Sequence, residues 1–444
     1  MATTGSSTAS GRRPPEMSAL LQSLSAGFES LALREAAGLG ALRREALDRA
    51  LASGLPGTRV ERWKYTSLRA LDRRSFVDAV AVEATRIDAS QLPPAPRLVF
   101  ANGHLVADLS DLSGLPDGVS FGSLSGALQA EVPAQLAFLA RRFDADDEVF
   151  ARLNLALATE GAVLRVAPRV RCEHALHVVL IGVRDGADRA HALRHLIELG
   201  EGAELAVVEH RWASDEHANF ANELMQLQLG EGASLSHLRI QRESGQASLV
   251  LRSDVGMAAR ARYQRLDLEL GAGLSRHELN IALHGEGATV QANGVLLGDA
   301  QRHLDTRLGL EHIARDTSCT LQWRGLAAQS SHVVFHGGIL IRPGADGTDA
   351  RLSNKNLLLS DQAAIDTQPV LEIHADEVQA AHGATVGTLD PMALFYLRSR
   401  GIPETQAHAL LTAAFCREVL AVVGDGPVRE LAERALDARL ETLA

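Results

Sequence analysis

Apolar and polar positions along the chain fall into three successive textures. From Met17, the residues Leu20, Leu24 and Phe28 recur at helical spacing. Leu39, Leu42 and Leu47 continue that spacing in Ala-, Arg- and Glu-rich sequence, predicting a helical hairpin that stops at Gly54 and Gly57 around Pro56. Two short apolar runs within Arg97–Asp108 flank Asn102-Gly103, and Asn-Gly accepts the left-handed dihedrals of a type I′ turn, so a β-hairpin is predicted there. From about residue 158 to 388, short Val, Leu and Ile runs alternate with glycine-containing turns, with almost no proline. Past Gly387 helical spacing returns. Asp390-Pro391 reads as an N-cap followed by a first-turn proline, Gly401 as the stop, and Val428–Leu443 as a final amphipathic helix.

The middle texture contains a repeat. Leu199–His210 (LGEGAELAVVEH), Leu229–Ile240 (LGEGASLSHLRI) and Leu283–Gly294 (LHGEGATVQANG) each place a G-E-G-A turn between two strand-like runs, and Glu160-Gly161-Ala162 before Val163–Val166 is a weaker copy. The spacing fits coils of roughly 25–30 residues. Glycine suits a corner requiring positive φ, and alternating apolar positions would stack coil on coil, about 4.8 Å apart, into a continuous core. A β-solenoid is the predicted core, with a β-sandwich as the alternative. The expected organisation is a disordered tail over 1–15, an N-terminal helical region over 16–157 with a hairpin near 97–108, a β-helix over 158–388, and a C-terminal helical domain over 389–444. That last domain would shield the solenoid's final edge or dock a partner.

Composition narrows the functions. The net charge is −11 and aromatic residues are 4% of the chain, so neither a duplex-DNA footprint nor a base-stacking platform is expected. Lysine occurs only at Lys64 and Lys355, neither behind a glycine-rich loop, which excludes a P-loop. Cys172, Cys319 and Cys416 are far apart and form no C-x-x-C pair, so no disulfide framework or local Cys₄ metal site is expected. The opening residues hold no apolar signal core and no run approaches 18 apolar residues, which makes the cytoplasm the expected compartment.

Seventeen histidines invite metal readings. The pairs His174/His177, His191/His195 and His332/His336 resemble ligand spacings, yet i and i+4 on a strand are about 13 Å apart, too far to share an ion. Glu201, Glu231 and Glu286, in the repeated turns, read as a solvated row. The segment 353–387 is denser: Asn354 and Asn356 flank Lys355, acids cluster at Asp361, Asp366, Glu372, Asp376 and Glu377, and His382 precedes Gly383 in a predicted polar turn after a strand. A neutral imidazole there could ligate a borderline metal such as iron.

This segment, followed by FYLRSRGI (Phe395–Ile402), resembles the C-terminal signature of the SufB/SufD family of iron–sulfur cluster assembly scaffolds. ERWKYTSL (from Glu61) and LVFANGHL (from Leu98) resemble its SufD branch. The resemblance implies a right-handed parallel β-helix flanked by N-terminal and C-terminal α-helical domains. It further implies a non-catalytic subunit that pairs with SufB and docks the ATPase SufC through residues about 388–444. A transient iron–sulfur cluster would be shared with SufB, its sulfur coming from a cysteine desulfurase system. A reduced flavin is associated with such complexes, but no flavin fingerprint occurs here. In the family's C-x-H-G-A-T-V-G segment the histidine corresponds to His382 and the cysteine is replaced by Ala380. His382 is therefore the candidate iron–sulfur ligand at the SufB interface, with an interface hydrogen bond as its alternative role. An isolated chain could also homodimerise through an exposed β-helix edge. The alternative class is a β-helix carbohydrate-active enzyme, which the missing signal, few aromatics and two lysines disfavour.

Overall fold

The computed structural model describes residues 18–443; the tail expected over 1–15 lies outside the described residues. The core is a β-solenoid of about eight turns, each coil contributing one strand to each of two parallel sheets. Sheet I runs from Val119–Ser123 to Ala364–Ile373, and sheet II from the hairpin Arg97–Ala101/His104–Leu105 to Gln379–Gly387. One coil back or forward is a register partner: Glu204, Ser234, Arg262, Thr289, Ser318, Asp349 and Gln379 stack in one row. Every coil-to-coil pairing from Leu176 onward is parallel, so the backbone ladder runs unbroken along the axis.

The repeated turns are the corners, and their two glycines act differently. Gly202, Gly232 and Gly287 hold φ of +63°, +65° and +70°, the left-handed region that favours glycine. The first glycine of each turn is instead a packing requirement: a Cβ on Gly200 would lie 2.6 Å from the Pro168 nitrogen in the coil below. Positive φ thus explains only half of the repeat. Two of the three corner glutamates form solvent-exposed ion pairs, Glu201 with Arg169 at 3.4 Å and Glu231 with Arg260.

Both flanks are covered. The helices Ala19–Ala26, Gly40–Ser53 and Val149–Leu157 bury Leu20, Leu47 and Leu153 against Phe220, Leu224 and Val250 of sheet I. Buried Arg43 donates to the carbonyls of Ala156 and Ala158 at 3.1 and 2.8 Å, which satisfies the end of the Val149–Leu157 helix. The ERWKYTSL segment is the clamp. The Arg276 guanidinium lies 4.0 Å over the Trp63 ring, Arg62 pairs with Glu278 at 2.9 Å, and the Thr66 hydroxyl donates to Asp305.

On the other flank, Cys416, Val419, Leu420, Leu436 and Leu440 of the C-terminal helices pack on Leu238, Leu266, Val295 and Leu326 of sheet II. Asp390 caps Pro391–Ser399 by accepting from the Met392 amide at 2.9 Å, as its sequence predicts. Glu404–Val423 is one helical stretch long and apolar enough to cross a membrane by length and composition; its apolar residues Cys416, Val419 and Leu420 are buried against the solenoid. The helices from Glu404 onward lie along the outer face of sheet II, and among the described residues no strand pairs with the final edge.

The solenoid interior departs from the expected continuous apolar core. In sheet II, Leu238, Ile240, Leu266 and Leu268 point outward under the helices, while His237, Arg239, Arg265, Asp267 and Glu269 fill the inside of the middle coils. Arg265 pairs with Asp267 at 2.8 Å, His237 with Glu209 at 2.6 Å, and Arg239 with Glu269. Burial alone would raise the Asp267 and Glu209 carboxyls, but Arg265 and His277 hold the first, and His237 and Arg265 the second, well below the usual carboxylate range. Such pairs must remain together, since removing one partner strands a buried charge.

Candidate functional site at the open end of the solenoid

The last coil consists of Ala364–Ile373 and Gln379–Gly387, and among the described residues neither strand has a neighbour on its outer side. Their backbone amides and carbonyls are therefore available for pairing. Ile373 (44% exposed) and Val386 (43%) add apolar side chains to this edge.

His382 lies in the middle of Gln379–Gly387, in a strand rather than in the turn its sequence suggests. Its row runs Val207, His237, Arg265, Ala292, Leu321, Leu352 and His382, and Leu352 belongs to the interior cluster. His382 consequently continues the inward-facing row at the mouth of the hollow, where no further coil covers it, and it is exposed. Ala380, where the family segment has cysteine, pairs with Ala350 in the next inward row.

Beneath the mouth is a polar floor. Thr367 donates to Asn354 Oδ1 at 2.7 Å, and Asn356 Nδ2 donates to Asn354 Oδ1 at 2.6 Å and to the Thr385 carbonyl at 2.9 Å. The last of these bonds pins the strand that carries His382. Deeper still, Trp323 is fully buried and stacks on Phe335 with centroids 5.2 Å apart, separating the floor from the charged interior. The Asn-Lys-Asn triplet thus divides by pleat: Asn354 and Asn356 face inward and Lys355 outward.

No group of three or more His, Cys, Asp or Glu poised to hold a metal occurs among the described residues. Burial pushes the thiols of Cys319 and Cys416 up to about 12 and raises Cys172, which is half-buried rather than enclosed. None of the three lies in the last coil, so His382 stands at the mouth without a cysteine of its own chain beside it. The suspect i, i+4 histidine pairs do not meet along their strands. Histidines meet between coils instead: His177 Nδ1 and His210 Nε2 lie 3.0 Å apart, and the His303 and His332 rings 4.7 Å apart. That pairing follows coil length and was invisible to motif spacing.

A second exposed apolar surface adjoins the open end. Met392 (72% exposed), Phe395 (66%) and Tyr396 project from the helix Pro391–Ser399, beside a groove of about 620 Å³ lined by Leu359, Leu394, His408 and Leu443. A contiguous patch of this kind marks an interaction surface.

Fold and site together define a parallel β-helix protein with one end uncapped among the described residues and an apolar helical surface beside it. The comparisons name the family. Residues 182–415 match the model described as SUF system FeS cluster assembly, SufBD core domain, and residues 21–178 match the SufBD protein N-terminal region. An iron–sulfur cluster assembly SufBD family protein of Synechocystis is 32% identical over 381 residues, covering 82% of this chain and 83% of the relative. The iron–sulfur cluster assembly protein SufD of Escherichia coli is 30% identical over 400 residues, covering 89% and 91%. The chloroplast protein ABCI7 of Arabidopsis thaliana is 25% identical, covering 89% and 84%. The chain belongs to the SufBD family of the SUF iron–sulfur cluster assembly system.

Proposed function

We propose that the chain is a non-catalytic, cytoplasmic scaffold subunit that completes a split iron–sulfur assembly site. Its last coil pairs edge to edge with the paralogue SufB, extending both sheets by backbone hydrogen bonds. The helical segment 389–444 docks the ATPase SufC, using the exposed Met392, Phe395 and Tyr396 surface. The observation that carries this reading is His382, alone at the uncovered mouth and facing along the hollow toward whatever chain closes it.

In the paired state His382 supplies one imidazole to the nascent cluster. The remaining ligands, a cysteine thiolate among them, come from the partner or from sulfide delivered by the desulfurase system, since none of the three cysteines of this chain lies in the last coil. A site divided between two chains with few thiolates on this side suits a cargo that must be released. We assign no residue of this chain to the reduced flavin associated with such complexes. Without SufB, the same edge favours a homodimer by mass action.

A tagged, anaerobic pull-down followed by reconstitution tests the reading. Recovery of a paralogous β-helix chain and an ABC-type ATPase is expected, with His382→Ala leaving the complex intact while cluster content falls at least about tenfold. Recovery of the chain alone, or unchanged cluster content in the variant complex, would overturn it.

A further inference from the structure

The outer face of sheet I holds a trough of about 730 Å³ beside the N-terminal clamp. It crosses the strands from Phe220–Leu229 to Ala364–Ile373, roughly 24 Å at about 4.8 Å per strand. Glycines open its floor. Gly309 and Gly338 are register partners on adjacent strands, so no side chain fills the space between the rows on either side. The volume lies within the range of small-molecule sites.

Most of the charges lining the trough are paired, the exposed Glu372 at its outer rim and the Arg307 row excepted. Asp254 is paired with Arg141 at 2.9 Å and with Arg252 at 2.8 Å, and accepts from Asn280 at 2.8 Å. Glu311 pairs with Arg342, and Glu61 accepts from Gln368 Nε2 at 3.0 Å. Arg307 is different. Its nearest row neighbour, Glu278, is already held by Arg62 and Arg276 at 2.9 Å each, and Asp305 is held by Arg276 and Thr66. Among the described residues no carboxylate is left within ion-pairing distance of this half-buried guanidinium. The register partner of Arg307 on the other side is His336, whose ring lines the trough while its buried Nδ1 is turned away from solvent, with the Leu308 carbonyl within reach of the ring. A guanidinium with no carboxylate partner, beside an imidazole that lines the same open trough, is a donor set suited to an oxyanion.

We propose that this trough binds the phosphate or carboxylate group of a small polar molecule, with Arg307 supplying the charge and His336 a hydrogen bond. The amides of Gln226, Gln228 and Asn280 line the remaining length and would hold the uncharged part of the ligand. Exposed Glu372 at the outer rim disfavours a second anionic group at that end. Burial, then repulsion by Arg62, lowers the Arg307 pKa; burial, then Arg307, holds His336 down to about 4, an unfavourable pairing that a bound anion relieves. This inference does not depend on the assembly reading, because neither SufB nor a cluster enters it.

The test is calorimetric titration of the full-length chain at low ionic strength with inorganic phosphate, ribose 5-phosphate and succinate. At least one probe should saturate with a Kd below about 1 mM; Arg307→Gln should weaken it about tenfold or more, and Arg307→Lys by less. Tighter binding of ribose 5-phosphate than of phosphate or succinate assigns an organic phosphate, and preference for succinate assigns a carboxylate. Equal binding of phosphate and ribose 5-phosphate would overturn the organic part of the ligand. Should Arg307→Gln fail to fold, His336→Phe gives the same reading through a loss of about threefold or more. Failure of all three probes to bind wild type, or undiminished binding by the folded variants, would overturn the site.

Discussion

The two ends of the solenoid solve the same physical problem in opposite ways. Any stack of coils exposes a ladder of unpaired amides and carbonyls at each end. At the start, sheet II is closed by the two-residue antiparallel strand His104–Leu105, and sheet I by Val119–Ser123, also antiparallel, which leads directly into a helix. Asn102 and Gly103 hold φ of +45° and +80° in the hairpin turn. The buried Asn102 side chain both donates to the Val183 carbonyl at 2.8 Å and accepts from the Val183 amide at 2.9 Å. A short, reversed, tethered edge offers little to another strand. At the far end, by contrast, strands of 10 and 9 residues stop with their outer sides bare. One end is finished within the chain; the other is built to be finished by a second one.

Three perturbations would break or sharpen this contrast, and the largest effect should come from inside the open end. Trp323 is the plug between the polar floor and the charged interior, and Gly294 leaves room for its ring, which a Cβ there would overlap. Trp323→Ala should cost about 3–5 kcal/mol in denaturant unfolding, with loss of protection against amide exchange concentrated in the last coils. A loss spread evenly along the solenoid would show that the end has no separate seal.

Next in size, taken per residue, is a pH effect near the closed end. Burial holds His177 down to about 4 and His210 to about 3, so both are neutral at pH 7. A depressed histidine contributes stability that is present above its unfolded pKa, near 6.5, and is lost as pH falls toward the folded value. Acidification from pH 6.5 to 4 should therefore cost roughly 2–3 kcal/mol per histidine. In the double variant His177→Gln/His210→Gln, that part of the slope should disappear from urea midpoints measured across the range. Buried Glu223 is acid-sensitive in a lower window. Burial would raise it, but Arg211 and His191 bring it down to about 2, so its contribution, present above about 4, fades below the histidine range.

The smallest effect on stability belongs to the open edge itself. Ile373→Lys with Val386→Lys places charge on an edge that is already exposed, and unfolding should shift by less than about 0.5 kcal/mol. Association through that edge, followed by sedimentation or by capture of the paralogue, should weaken at least about tenfold. Unchanged association would mean that the edge is not the pairing surface.

The His382 row shows how far local sequence reaches. The dense segment 353–387 drew attention to it, and family resemblance singled out the histidine. Only the register from Val207 to His382 shows that it faces the hollow rather than the flank. Arg307 and His336 gave no motif signal because they are 29 residues apart and become neighbours only by one turn of the coil.

Sequence alone determined the solenoid, the hairpin turn at Asn102-Gly103 and the capped helix after Asp390, because each is written in short-range terms: a turn chemistry, a period or a cap. It could not determine which side of a strand is inside. A period of two states that apolar and polar residues alternate, not which set faces a partner. In Leu266–Leu268 the leucines face outward because the C-terminal helices cover them, while Arg265 and Asp267 pair inside. That choice rests on segments more than a hundred residues apart meeting on one sheet face, and so only the tertiary structure decided it.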